Sequence, residues 1–175
     1  TDQFLPNGFS YIANAGHAQN YGFELESILR PTSRLELTAA FFWNSPELLD
    51  ANPFLGAAEG DALPNIAELS AGLSATYETP LAGRWTALLT GDVNYIGRSF
   101  LTFQKGLARS MGDYFDSNLK LSFQRDSFQA GLFIDNVINE RGNTFSFGNP
   151  FYLNVQAQET PLRPRTIGIF VRRTF

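Results

Sequence analysis

The sequence predicts an all-β chain whose strands form part of an antiparallel transmembrane β-barrel, and three observations predict it. Apolar residues recur at every second position in segment after segment, the period of a strand whose side chains alternate between two faces. The connections between these segments alternate between short and long. Aromatic residues fall near the strand ends, where a membrane-spanning strand would meet headgroups.

The segments follow in chain order. Phe9, Tyr11 and Ala13 make a first, weaker strand. Tyr21, Phe23 and Leu25 alternate with Gly22, Glu24 and Glu26. Leu35, Leu37, Ala39, Phe41 and Trp43 form the next row. The cleanest alternation is Ala67, Leu69, Ala71, Leu73, Ala75 and Tyr77 against Glu68, Ser70, Gly72, Ser74, Thr76 and Glu78. Trp85, Ala87, Leu89, Gly91, Val93 and Tyr95 continue the pattern. Leu119, Leu121 and Phe123, then Phe128, Ala130, Leu132 and Ile134, and finally Ile167, Ile169, Val171 and Phe175 complete it. The total is about eight strands, with poor helical periodicity throughout.

Arg125-Asp126-Ser127, Thr79 to Gly83 and Arg30-Pro31-Thr32-Ser33 read as short turns. Asn44 to Ile66, Ile96 to Asp116 and Val137 to Arg165 read as long loops. Outer-membrane barrels put short turns on the periplasmic side and long loops outside. With Phe175 at the periplasmic rim, Tyr77, Trp85, Phe123 and Phe128 join it in one girdle, and Tyr21, Trp43 and Tyr95 form the other. Small residues such as Ala39, Ala71, Ala75, Ala87, Gly91 and Ala130 would fill a protein core poorly but are tolerated against lipid.

Composition narrows the function. Charged residues are 17% of the chain, below the roughly 25% of soluble domains. A net charge of −4 without a basic cluster argues against nucleic acid as partner. The lack of Cys removes thiol catalysis, disulfides and Cys-ligated metals. His17 is the one histidine, so no acyl-transfer triad or multi-histidine metal site can be built around it, and no cofactor is expected. Glu24 and Glu26 share a strand face and read as a lumen pair meeting a plug or Arg30 and Arg34, rather than as an acid–base couple. The candidate substrate-binding residues are loop aromatics with hydrogen-bonding neighbours: Arg141, Asn143, Phe145, Phe147, Asn149, Phe151 and Tyr152 in one loop, Phe100, Phe103 and Lys105 in another. The bland alternative is that these rings pack the loops on one another.

Five stretches resemble the C-terminal region of TonB-dependent receptors. They are Asn14-Ala15-Gly16-His17-Ala18 with Tyr21-Gly22-Phe23-Glu24-Leu25-Glu26, then Leu63-Pro64-Asn65, Tyr95-Ile96-Gly97, Asp135-Asn136-Val137-Ile138-Asn139-Glu140-Arg141, and Arg163-Pro164-Arg165-Thr166-Ile167-Gly168 leading to Phe175. One departure is Arg173, where the family often has an aromatic or apolar residue. The resemblance implies a bacterial outer-membrane barrel of about twenty-two strands around an N-terminal plug, of which residues 1–175 would supply about a third. On that reading the plug and earlier strands lie outside this sequence, which starts at Thr1 like the middle of a longer chain or a processed one. It further implies outer-membrane lipid, the plug, TonB through an N-terminal box, the barrel-assembly machinery through Phe175, and a small-molecule or peptide substrate as partners. The implied activity is energised uptake of a scarce nutrient such as a siderophore, cobalamin, oligosaccharide or peptide, with no enzymatic step. A complete, passive eight-stranded outer-membrane barrel is the alternative; a soluble lipocalin-like binder and a membrane enzyme are remoter ones.

Overall fold

In a computed structural model the described residues are 2–4, 10–12, 16–50, 57–103, 110–147 and 158–174. Among these residues thirteen strands run β1 (Asp2–Phe4), β2 (Ser10–Ile12), β3 (Ala18–Thr32), β4 (Leu35–Leu48), β5 (Leu69–Pro80), β6 (Thr86–Ile96), β7 (Ser99–Phe100), β8 (Ser110–Met111), β9 (Tyr114–Arg125), β10 (Phe128–Asp135), β11 (Asn143–Phe147), β12 (Gln158–Pro161) and β13 (Thr166–Arg173). Seven of them make one antiparallel sheet in the order β13-β10-β9-β6-β5-β4-β3. The other six form three small two-stranded ribbons. Among the described residues no helix is long and apolar enough to cross a membrane.

The register puts every apolar row on one face. Phe23 pairs with Trp43, and Trp43 with Leu69. Leu73 pairs with Val93, Leu89 with Leu121, Leu121 with Leu132, and Leu132 with Ile169. Residues directly opposite share a face, so these rows form one continuous apolar surface. The reverse face carries Glu24, Ser74, Thr90, Asp92, Asn118, Lys120, Gln124 and Gln129 in the same ladders. Among the described residues none forms a layer over the apolar face. Leu73 is 51% exposed, Leu132 53% and Ile169 77%. Among the described residues only Leu48, Phe103, Met111 and Tyr114 are buried hydrophobics, and none lies beneath the sheet centre. A soluble lipocalin-like domain would bury those rows; here they are left for hydrocarbon.

The eleven residues of β6, at about 3.3 Å each and tilted about 40°, reach about 28 Å along the membrane normal, enough for a lipid-facing band of about 25 Å. The short connections all lie at one end: the Ser33–Arg34 turn, the single 3-10 turn Ala82–Arg84, and the Asp126–Ser127 turn. Asp126 takes a positive φ of 52°, which a two-residue hairpin turn asks of its residues. Trp85 meets Phe128 edge-on at 6.1 Å at this end. At the other end Tyr95 and Phe115 lie 4.9 Å apart, and Phe23 and Phe41 6.4 Å apart. Phe115, Phe23 and Phe41 enlarge the expected outer girdle.

The expectations need correction in four places. The first strand around Phe9, Tyr11 and Ala13 is not in the large sheet: Ser10–Ile12 pairs with Asp2–Phe4 in a ribbon of its own. The expected turn at Arg30 to Ser33 starts later. Pro31 is carried inside β3, where the pairing with β4 shifts between Leu29 and Thr32, so its missing N–H falls at an irregularity of that ladder. The long loops hold the ribbons β7–β8 and β11–β12, too short to leave a periodic signal. Finally, the sheet is open, with β3 and β13 as its edges, so these strands do not close an eight-stranded barrel.

Candidate functional site

The long connections gather at the end opposite the short turns, and their backbones bind one another. Leu48 N donates to Asp61 O at 2.9 Å, and Gly60 N to Leu48 O at 2.8 Å, folding the first loop back on β4. Asn65 N donates to Phe100 O at 2.8 Å, joining the first loop to the second. Gly112 N donates to Asn143 O at 2.9 Å, joining the second to the third. His17 Nδ1 and Asp50 Oδ2 meet in an exposed hydrogen-bonded contact at the first loop's base.

Asn136 organises the third loop. It is 2% exposed and holds a positive φ of 52°, which Asn tolerates. Its Nδ2 donates to Arg163 O at 2.8 Å and Glu140 O at 3.0 Å, while its Oδ1 accepts from Glu140 N at 2.8 Å. One side chain thus ties the end of β10 to the chain entering β13. Gly142 follows because a methyl group there would run into the Tyr114 ring. These contacts give a structural role to the Asp135–Arg141 stretch singled out in the sequence.

The expected binding residues separate into distinct settings. Phe100 and Phe145 are exposed, at 42% and 49%. Phe103 is buried. Asn143 directs its amide into the loops, donating to Ser110 O at 2.9 Å and Ser146 Oγ at 2.6 Å. Arg141 is exposed. Phe147 ends β11; Lys105, Asn149, Phe151 and Tyr152 lie outside the described residues. The structure therefore brings Asn143 and Phe145 together on one ribbon with Phe147, while Phe100 stands on a separate one.

Lower down, Glu24 and Glu26 occupy the polar face, opposite Phe42 and Ala40. Arg30 does not reach them. Its Nη2 meets Glu36 Oε2 at 2.6 Å on the neighbouring strand instead. The sequence did not single out the polar ladder beside them: Asp92 Oδ2 accepts from Asn94 Nδ2 at 3.2 Å and Asn118 Nδ2 at 2.9 Å. Lys120 Nζ lies 4.3 Å from the centre of the Phe170 ring on the same face. Hydrophilic groups in period two were the signal for this wall, and register was needed to join them.

The outer rim carries one further cluster. Arg98 Nη2 donates to Asp113 Oδ2 at 2.5 Å, and Tyr95 Oη to Asp113 Oδ1 at 3.0 Å. The bond from Arg98, then that from Tyr95, holds the Asp113 carboxyl below the usual carboxylate range. Among the described residues no group of three or more His, Cys, Asp or Glu is placed to hold a metal ion.

Comparison with known proteins places this geometry. The family model described as "TonB dependent receptor-like, beta-barrel" matches residues 1–137. The ferric yersiniabactin uptake receptor FyuA from Yersinia pestis is similar in structure, with a TM-score of 0.77 at 22% identity over 93% of this chain. The ferric preacinetobactin receptor BauA from Acinetobacter baumannii gives 0.62 at 18% identity over 98%. The chain spans 24% and 25% of the lengths of those two proteins. No curated protein matches it in sequence.

Proposed function

Because the chain belongs to the TonB-dependent receptor-like β-barrel family of the bacterial outer membrane, we propose that it forms barrel wall and loop gate in a receptor that takes up a scarce nutrient with energy delivered through TonB. The observation that carries this reading is the two-faced sheet: apolar rows open to lipid, a hydrogen-bonding wall behind them, and every long loop at one rim. Residues 1–175 act as one barrel segment; a plug and further strands complete the lumen. Substrate settles first among the loops, where Phe145, Phe147, Phe151, Tyr152 and Phe100 offer ring faces and Arg141, Asn149 and Lys105 offer polar contacts. The plug then rearranges, against a wall that includes Glu24 and Glu26. No covalent step is assigned to this chain. Ferric chelates are the first substrates to test, since both structural neighbours are named for ferric ligands.

The test uses the complete receptor in cells lacking other uptake routes for the chosen chelate. Uptake is expected to require TonB, and replacing Phe147 and Tyr152 with Ala should weaken binding at least several-fold while surface abundance stays unchanged. Accumulation that persists at full rate without TonB would overturn the energised mechanism. Unaltered binding in the double variant would remove those rings from the site.

A further inference from the structure

A row of polar side chains crosses the inner face of the sheet in the half nearer the long loops. Asp92, Asn118, Asp135 and Thr166 stand opposite one another in turn on β6, β9, β10 and β13. Residues in such a row share a face, so Asn118 has a carboxylate on either side. Its amide uses both ends. Nδ2 donates to Asp92 Oδ2 at 2.9 Å, and Oδ1 accepts from Asn136 N at 3.3 Å. These partners fix the orientation of the amide, because turning it over would set oxygen against carboxylate and NH2 against N–H. Asn136 is the hub of the third loop, and the chain after it leans on the same strand as Asn118. Val137 N donates to Ser117 O at 2.8 Å, and Ile138 N to Ser117 Oγ at 3.3 Å. Asp92 and Asn118 thus join the lumen wall to that hub.

Asp92 is engaged through one oxygen and open at the other. Oδ2 accepts from Asn118 and also, at 3.2 Å, from Asn94 Nδ2. Oδ1 has no bonding partner among the described residues, and neither has the Asp135 carboxyl. We propose that Asn118 is a switch that tells the third loop whether the Asp92 carboxylate is occupied from the lumen. A cationic hydrogen-bond donor arriving there takes Oδ1 and draws on the charge that holds Asn118, since a charged acceptor binds an amide roughly twice as strongly as a neutral one. Asn118 then turns its Nδ2 to Asp135, the second carboxylate in its row, and its Oδ1 leaves Asn136 N. The third loop loses an anchor at its base and opens more often. The two settings of one amide are the bistable element that coupling between sites requires. In the reverse direction, a ligand that clamps the third loop strengthens the hold of Asn118 on Asp92, because such coupling is reciprocal. The switch rests on the inner placement of the polar face and not on the uptake reading, so a failed uptake assay leaves it standing.

The experiment takes the complete receptor in lipid nanodiscs and follows hydrogen–deuterium exchange of residues 136–140 by mass spectrometry. Asp92→Asn stands for a carboxylate neutralised by a bound cation. It is expected to speed that exchange about five-fold and to leave exchange in β5 unchanged. Asn118→Ala should speed it by a similar factor, and the double variant D92N/N118A should exchange no faster than N118A alone. Folding of every variant is verified by heat-modifiable gel mobility. Exchange in D92N equal to that of the parent overturns the proposal, as does a double variant that shows the product of the two single effects. If Asn118→Ala does not fold, Asn118→Asp replaces it: the new carboxylate still accepts from Asn136 N but cannot donate to Asp92. Acceleration by Asp92→Asn that persists in that background overturns the proposal.

Discussion

Asn136 shows how much one buried amide holds in place. Replacing it with Ala removes its three side-chain hydrogen bonds to Glu140 and Arg163 and leaves an unfavourable φ. We expect a loss of about 3 kcal/mol of stability, measured by urea unfolding in lipid vesicles. Asn136→Gly, which relieves the φ but not the bonds, should recover only a part. A loss as small as that of an exposed substitution would refute the role given to this residue. Asp113 makes a pH prediction at the same scale. Its folded pKa is lowered, so the stabilisation it gives the rim is complete above the ordinary carboxylate range and is lost as pH falls through the lowered value. Arg98→Gln should move the Asp113 titration back up, as read by carboxyl-carbon NMR. Sequence pattern identified the Asp135–Arg141 stretch but not this use of it, because the partners of Asn136 lie up to 27 residues away. The sequence singled out Tyr95 but not its cluster with Arg98 and Asp113, because Asp113 meets the other two from 18 and 15 residues along the chain.

Strands were the most legible level. Period two placed the seven sheet strands, since lipid on one face and a polar lumen on the other write a two-state code into each strand. The code fails where that contrast fails. Beyond Trp43, β4 continues to Leu48 through Asn44, which is buried by the loop it supports. The face assignment makes a sharp prediction. Leu73→Arg puts a charge at mid-strand against acyl chains and should cost about 2–4 kcal/mol, while Ser74→Arg, one residue on and facing the lumen, should cost far less. Similar penalties for the two would invert the membrane model. β10 and β13 illustrate packing on the inner face. Gly168 leaves the space that Phe133 occupies across the strand pair. Gly168→Ala should destabilise by about 1–3 kcal/mol, and Phe133→Ala in the same protein should relieve most of the strain; additive losses in a double-mutant cycle would exclude that coupling.

At the level of the whole molecule, the sheet is a curtain with two loose hems. β3 exposes the edge of a fifteen-residue strand and β13 that of an eight-residue one. Backbone groups along such edges seek a partner, and hydrocarbon offers none. The chain expressed by itself is therefore expected to aggregate or pair between copies, without the heat-resistant gel mobility of the complete receptor; a monomeric, heat-modifiable product would show that these strands can close unaided. The seven sheet strands and their sidedness were legible from sequence. Closure was not, because it depends on which edges find each other rather than on any residue within a strand.

The main-chain bonds from Asn65 to Phe100 and from Gly112 to Asn143 knit three loops into one fabric. Their amide protons should therefore exchange with deuterium in concert, as a single unit that opens together. An antibody or phage protein that clasps one loop would stiffen the other two, and a change of loop length in one would disturb stitches in its neighbours.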